Sequence, residues 1–278
     1  MDLSILSWNL AGAPLLSAVA AEPVDVALLQ EVATPPSQPP VTLFPDPSAG
    51  PWRTEGWKSR PWRTAIAQVS DRVELREFPT DQLGGTDRSR LAVSRPGTLT
   101  AAEVNVDGVA VVTIVSWYAT WEHPPGDDRL LGADSAAHRL LSDVAALIDH
   151  DRRHRHLIVA GDLNLLYGYG EHGSPYWAGR YTTVFDRAAA MGLTMVGPQY
   201  PHGRQADPWP TELPVNSRSV PTYHTASQGP AAATRQLDFV FASSAIADQV
   251  KVQALNDIDE WGPSDHCRIR IEMASPGR

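Results

Sequence analysis

Short apolar segments of strand length recur from one end of the chain to the other, and this pattern constrains the fold more than any other feature. Leu3–Asn9 alternates as a half-buried strand does, and Val24–Gln30 is apolar on both faces, as a fully buried one is. Ala65–Val69, Val73–Phe78, Leu91–Ser94, His156–Ala160, Gln236–Ala242, Val250–Leu255 and Cys267–Glu272 have similar length and character. Thr98–Val106 and Val109–Trp117 flank Asp107-Gly108, a dipeptide suited to the positive φ angles of a two-residue hairpin turn.

Helical signals are fewer. Pro14–Glu22 is short and rich in Ala and Leu. Leu130–Ile148 keeps helical spacing, with Asp127 and Asp128 suited to its first turn and Arg152, Arg153 and Arg155 forming a solvated basic end beyond it. Thr182–Met191 is a third helix, closed by Gly192. Residues 33–63 and 197–220 are long irregular excursions. Strands outnumber helices, hairpins mix with crossovers, and no linker divides the chain. One α/β domain over residues 1–278, with mixed sheets, is the expected organisation.

Composition excludes several classes. No apolar run approaches the ~20 residues needed to span a bilayer, so no membrane partner is expected. The first strand begins almost at the initiator Met, which leaves no room for a charged leader and apolar signal core, and a cytoplasmic location is expected. The single Cys267 rules out an intrachain disulfide framework and any multi-cysteine zinc motif. Net charge is −9. That balance opposes non-specific polyanion binding, which depends on neutralising phosphates, but permits a local basic groove or a metal-mediated encounter with a phosphate. No obligate protein partner is evident.

Polar residues that chemistry can use sit at the ends of these apolar segments. Asn9 ends the first, and Glu31 follows VALLQ. Asp162 and Asn164 follow LIVAG, Asp238 interrupts LDFVF, and Asp265-His266 precede the last strand. A carboxylate at the rim of an apolar sheet is costly unless paired, hydrogen-bonded or metal-bound. Any one of these could be a cap, a turn or a satisfied core group; their repeated placement at strand ends points to convergence. Hard oxygen ligands with one imidazole and no thiolate set suit Mg²⁺, which takes one or two carboxylates and keeps several waters. They also suit phosphoester hydrolysis, in which a metal neutralises phosphate charge, a carboxylate activates water, and a cationic His or an amide stabilises the transition state.

At these residues the chain resembles the endonuclease/exonuclease/phosphatase superfamily. The matching motifs are SWNLAG at Ser7–Gly12, LLQE at Leu28–Glu31, GDLN at Gly161–Asn164, QLDFVFAS at Gln236–Ser243 and SDHCRI at Ser264–Ile269, in the family's order and with its wide spacing. The resemblance implies a four-layer α/β sandwich, two face-to-face mixed β-sheets flanked by helices. It implies Mg²⁺, with Mn²⁺ as a substitute, held chiefly by Glu31, with Asn9 beside it and Asp265 completing the acidic cluster. Asp162 would orient or deprotonate the attacking water, and Asn164 would hold a phosphoryl oxygen. Asp238 would fix the orientation of His266, which would contact the scissile phosphate. Tyr118 is the counterpart of a phosphate-contacting tyrosine, although Thr120-Trp121 stands where many relatives carry Pro-Asn; a packed aromatic is the other reading. His123 reads as a solvated loop residue. The implied activity is phosphodiester hydrolysis, with nucleic acid as the default substrate. A phosphatase or phosphodiesterase acting on a small-molecule or lipid phosphate is the alternative, and a non-catalytic binding module is disfavoured by the intact set.

Other patterns lead elsewhere or nowhere. Gly168–Gly173 matches G-x-G-x-x-G, but helical periodicity waits until about Thr182, so a loop is expected rather than a dinucleotide fingerprint. Asp162-x-Asn164 fails as a calcium loop because Tyr167 stands where Gly is needed. No G-x-S-x-G or H-E-x-x-H occurs. The Trp/Arg stretch Trp52–Arg63 either pins its loop to the core or stacks on bases, with packing preferred. Loops 167–181 and 197–210, carrying His172, Tyr176, Trp177, Arg180, His202 and Arg204, are further candidates for substrate contact.

Overall fold

The computed structural model describes residues 2–55, 59–84, 87, 89–121, 132–148 and 156–274. The strand-length segments assemble into two six-stranded sheets. The first contains β1 (Leu3–Asn9), β2 (Val26–Ala33), β3 (Thr42–Phe44), β4 (Trp62–Gln68), β13 (Val250–Leu255) and β14 (Arg268–Met273), in the order β13-β14-β1-β2-β4-β3. The second contains β5 (Glu74–Phe78), β8 (Leu99–Val106), β9 (Val109–Tyr118), β10 (Leu157–Asp162), β11 (Leu193–Gly197) and β12 (Asp238–Ser243), in the order β11-β12-β10-β9-β8-β5. Two short strands, β6 (Thr80–Gln82) and β7 (Leu91–Val93), pair separately. Each large sheet is antiparallel apart from one central parallel pair, β1 with β2 and β9 with β10.

The two-residue period of a strand explains why these segments are apolar on both faces. Ile5, Val26, Leu28, Ile158, Ala160 and Val240 point between the sheets into one core. Their neighbours point outward: Leu6, Trp8, Ala27 and Leu29 pack beneath the short helix α1 (Leu16–Ala20). On the other side Leu157, Val159, Phe239 and Phe241 pack beneath α2 (Ala133–Val144) and α3 (Pro175–Ala190). Helix, sheet, sheet and helix therefore stack as the expected four-layer α/β sandwich. Each fully buried Leu, Ile or Val contributes about 1.5–3 kcal/mol, so the double-sided burial of β1, β2, β9 and β10 dominates the scaffold's stability. No helix among the described residues is long and apolar enough to cross a membrane.

Local details follow the sequence closely in places. Asp107 and Gly108 both have positive φ, 52° and 75°, as the β8–β9 hairpin requires. Gly192, at φ 79°, follows the end of α3. Elsewhere the structure corrects the expectation. α3 opens at Pro175 rather than Thr182, because Pro175 takes the first helical turn, where its missing N–H costs nothing. Tyr176, Trp177 and Arg180 are thus on a helix, not a loop. β3, β6 and β11 were not anticipated. Asp127, Asp128, Arg152, Arg153, Arg155 and His123 lie outside the described residues.

One glycine decides how closely the sheets meet at the end that matters. Gly161, just before Asp162, has φ 144°, and a Cβ there would fall 2.1 Å from the carbonyl oxygen of Trp117 and 2.9 Å from Nε2 of Gln30. Gln30 Nε2 itself reaches across the sandwich to donate to Ser116 Oγ at 2.9 Å, and Ser116 Oγ donates to Leu29 O at 2.7 Å. These bonds tie β2 to β9 directly beneath the site.

Candidate active site

The parallel pairs run in a direction that places their ends together: Asn9, Tyr118 and Asp162 are the last residues of β1, β9 and β10, and Glu31 lies two residues before the end of β2. Three of the nearby turns are unusual. Ala11, Glu31 and Asn164 have φ of 52°, 48° and 51°, in the left-handed region that non-glycine residues adopt at a cost of about 1–3 kcal/mol. For Glu31 the cause is visible. One extra residue bulges out of β2 between Leu29 and Val32 relative to β4, which re-aims the carboxylate out of the sheet.

Asn9 is the hub. Its Oδ1 accepts from the Ala11 backbone at 2.9 Å, which fixes the amide. Its Nδ2 then donates to Glu31 Oε1 at 3.3 Å and to Asp162 Oδ2 at 3.1 Å, bringing carboxylates from the two sheets onto one amide. Asn164 turns back on Asp162, its backbone N–H donating to Oδ1 at 2.7 Å and its Nδ2 to Oδ2 at 3.2 Å. The same Nδ2 donates to Ala119 O at 2.9 Å.

His266 lies on the other side of Asp162. Its Nδ1 bonds Asp238 Oδ2 at 2.7 Å, and its Nε2 is 3.8 Å from Asp162 Oδ2. Thr222 Oγ1 donates to the same Asp238 oxygen at 2.7 Å and accepts from the backbone of Leu237 and Asp238. Asp238 can therefore hardly rotate. Ser264 Oγ donates to Asn9 O at 2.7 Å and accepts from His266 N, while Trp8 Nε1 donates to His266 O. The first and last strands are thereby locked together behind the imidazole.

Burial and charge set the protonation states. Burial alone would lower the His266 pKa, but Asp238, Asp162 and Asp265 outweigh it and push it up to about 10, so the imidazole is a cation at neutral pH. Burial pushes the Asp162 carboxyl well above its ordinary value, partly offset by His266. Burial also raises Glu31, against the lowering effects of His266, Tyr118 and Asn9. Tyr118 is buried and bonded to Glu31, and burial with the neighbouring carboxylates raises its pKa far above 10. It stays a neutral phenol that donates to Glu31, rather than an aromatic with only packing to do.

The structure thus brings together Asn9, Glu31, Tyr118, Asp162, Asn164, Asp238, Asp265 and His266. The donor set fits a hard divalent cation. Asp265 Oδ1 is buried with no hydrogen-bond partner among the described residues, and Glu31 is held next to its charge in a buried position where ionisation is costly. Among the described residues no three His, Cys, Asp or Glu are grouped closely enough to hold a metal ion by themselves. Clefts of about 930 Å³ and 590 Å³ lie elsewhere, and none of the residues of this cluster is among those described as lining them.

Other candidates are spent on structure. Arg204 gives its guanidinium to the carbonyls of Gln205, Pro230 and Asn256, and Arg180 pairs with Asp134 at 2.5 Å. Trp52 donates to Val32 O, pinning its loop to the sheet as the packing reading holds. Thr222, Ser264 and Tyr223 were not singled out as site residues. The Tyr223 ring lies 5.0 Å from His266 and its backbone bridges both Arg235 and His266. Tyr223 belongs to isolated bridges and Thr222 precedes it outside any strand, so neither leaves a periodic signal. Ser264 lies inside a quoted motif, but nothing local announces its bond to Asn9.

The imidazole, buried carboxylates and amides gathered at one end of the two sheets are groups that phosphoester hydrolysis can use. The chain belongs to the endonuclease/exonuclease/phosphatase family, whose model matches residues 6–266. The endonuclease domain of TRAS1, a telomere-specific non-LTR retrotransposon, has a similar fold, with TM-score 0.59 and 17% identity over 98% of both chains. The AP endonuclease LMAP from Leishmania major gives 0.60 and 16% over 99% of this chain and 88% of its own. The 3'-5' exonuclease NExo from Neisseria meningitidis gives 0.58 and 18% over 98% and 99%. No curated protein matches the chain.

Proposed function

We propose that the protein is a Mg²⁺- or Mn²⁺-dependent phosphodiesterase acting on nucleic acid strands. The observation that carries this reading is the two-sided hold on His266, 2.7 Å from Asp238 and 3.8 Å from Asp162, beside an unpartnered Asp265 oxygen. Glu31, Asn9 and Asp265 would hold the metal, which would supply charge neutralisation at the phosphate. Asp162, made more basic by burial, takes the proton of the attacking water. With substrate bound, the Tyr118 hydroxyl would turn from Glu31, and Asn164 Nδ2 from Asp162 Oδ2, to donate to phosphoryl oxygens. His266, cationic, stabilises the charge that develops on them. Mn²⁺ replaces Mg²⁺ because the donors are hard oxygens.

Hydrolysis of bis-p-nitrophenyl phosphate should need added Mg²⁺ or Mn²⁺ and stop with EDTA. Full turnover in EDTA would refute the metal assignment. The acidity of the chain, −9, favours a second reading in which the substrate is a small phosphomonoester or a lipid headgroup. A plasmid-nicking assay beside a phosphomonoester panel separates the two.

The imidazole also gives a pH prediction. Its pKa is raised from 6.5, so the stability that this shift contributes is complete below about pH 6.5 and lost as pH rises through about 10. Asp238→Asn removes the leading favourable charge, so the imidazole deprotonates sooner. The alkaline limb of the pH–kcat profile should move down by about 1–3 units. A limb that stays in place would show that His266 is not the group whose protonation turnover requires.

A further inference from the structure

Two arginines flank the cluster, and the protein treats them differently. Arg235, on the Tyr223 side, is held by Glu171 through Nη2 at 3.0 Å and Nη1 at 3.5 Å, so its charge is already matched. Arg60, on the Tyr118 side, is exposed and has no ion pair among the described residues. It is nonetheless close to the chemistry, since its charge acts on the Tyr118 hydroxyl that bonds Glu31.

Its position is built rather than incidental. The backbones of Arg60 and Thr54 exchange hydrogen bonds at 2.9 and 3.0 Å, which fixes Arg60 against Thr54. Thr54 is anchored in turn: its Oγ1 donates to Trp62 O at 2.6 Å and its Cα lies against Gly97, where an added Cβ would fall 2.8 Å away. The guanidinium sits over the Trp62 ring, 5.7 Å from its centroid. That ring packs on the turn after Asn9, 3.6 Å from where a Gly12 Cβ would be, and Gly12 N donates to Glu31 O. The stack Arg60–Trp62–Gly12 therefore ends on the backbone that carries both Asn9 and Glu31. An exposed cation with no ion pair among the described residues, seated one aromatic ring away from the turn that carries Asn9 and Glu31, suits an anion that comes with the substrate.

We propose that Arg60, seated on Trp62, binds a phosphate of the substrate other than the one cleaved, the neighbouring phosphate of a polynucleotide strand, and so favours oligomeric over single phosphodiesters. This rests on the phosphodiesterase reading above. Arg60 adds affinity for the strand and takes no part in bond breaking, so its contribution falls on KM rather than kcat.

The test compares a short single-stranded DNA oligonucleotide, which has neighbouring phosphates, with bis-p-nitrophenyl phosphate, which has one. In Arg60→Ala, the ratio of kcat/KM on the oligonucleotide to that on the small diester should fall about tenfold, mainly through KM. Binding of the same labelled oligonucleotide in EDTA, followed by anisotropy against salt, should lose about 0.7 from its log–log slope, the value for one phosphate contact on a single strand. Arg60→Lys should restore most of the slope. Arg72→Ala, a surface control far from the cluster, should alter neither measure. An unchanged ratio and slope in Arg60→Ala would overturn the inference, and so would a parent that neither binds nor cuts the oligonucleotide. Failure of the parent on bis-p-nitrophenyl phosphate with Mg²⁺ and Mn²⁺ would instead overturn the phosphodiesterase reading, while the binding measurement would still judge Arg60.

Discussion

Asp162→Asn is expected to lower kcat by about 10²–10⁴-fold while leaving KM within a few-fold of the parent. The substitution keeps the shape and removes the proton acceptor. Asp162 is 1% exposed and receives three hydrogen bonds: Asn164 N on Oδ1, and Asn9 Nδ2 and Asn164 Nδ2 on Oδ2. Burial raises its pKa, so the carboxylate binds a proton from water more readily than an exposed aspartate would. An amide presents one oxygen and one NH₂ to the same donors, and at least one pair then becomes donor against donor. That mismatch costs about 1–3 kcal/mol, enough to lower the melting temperature without unfolding the sandwich. Kinetics on bis-p-nitrophenyl phosphate with Mg²⁺, beside thermal melts, would check both parts. Turnover within a few-fold of the parent would remove Asp162 from the chemistry and leave it a structural acceptor only.

Strand positions were readable because Ile5/Leu6, Val26/Ala27 and Ile158/Val159 divide between inner and outer cores, so both faces of each strand had to be apolar. The polar ends stood out against that background, which is why Asn9, Glu31, Asp162, Asn164, Asp238, Asp265 and His266 could be named without coordinates. Their joining was not readable. Nothing along the chain says that one amide, Asn9 Nδ2, spans Glu31 and Asp162, or that a bulge in β2 turns Glu31 outward. Thr222, Ser264 and Tyr223 stayed hidden for the same reason: each acts through a partner distant in sequence. The start of α3 was missed because Tyr176, Trp177 and Gly179 dilute the apolar period, although Pro175 marked the helix start. Arg60 illustrates the converse. Its charge was visible as part of a Trp/Arg stretch, but its seat on Trp62 and the absence of an ion pair among the described residues are properties of the fold alone.

His266→Ala should give the largest combined loss, because the imidazolium is the cation that lets two carboxylates share a buried space and, on the proposed function, the charge that stabilises the transition state. Its side chain is 5% exposed, between Asp238 at 2.7 Å and Asp162 at 3.8 Å. Removing it leaves these carboxylates near each other with no charge between them, and breaking such a buried arrangement from one side costs about 3–5 kcal/mol. The loss should depend on pH in a defined way. Near neutrality the parent has its cation and the variant has lost the charge that offsets the burial of Asp162, so the difference is greatest. Toward acid pH the variant's Asp162 carboxyl, already raised by burial, takes up a proton and the repulsion subsides. Toward pH 10 the parent's imidazole loses its own proton and its advantage shrinks. Denaturant titrations of parent and variant across this range would trace the curve, and a difference independent of pH would reduce His266 to a packing residue. On the same preparations kcat should fall at least about 10²-fold wherever the variant remains folded. The Asp238→Asn background supplies the control. With that carboxylate already neutral, removing His266 should cost less than it does in the parent, because one of the two charges it compensates is gone. Equal costs in the two backgrounds would mean that the 2.7 Å contact does not couple the pair.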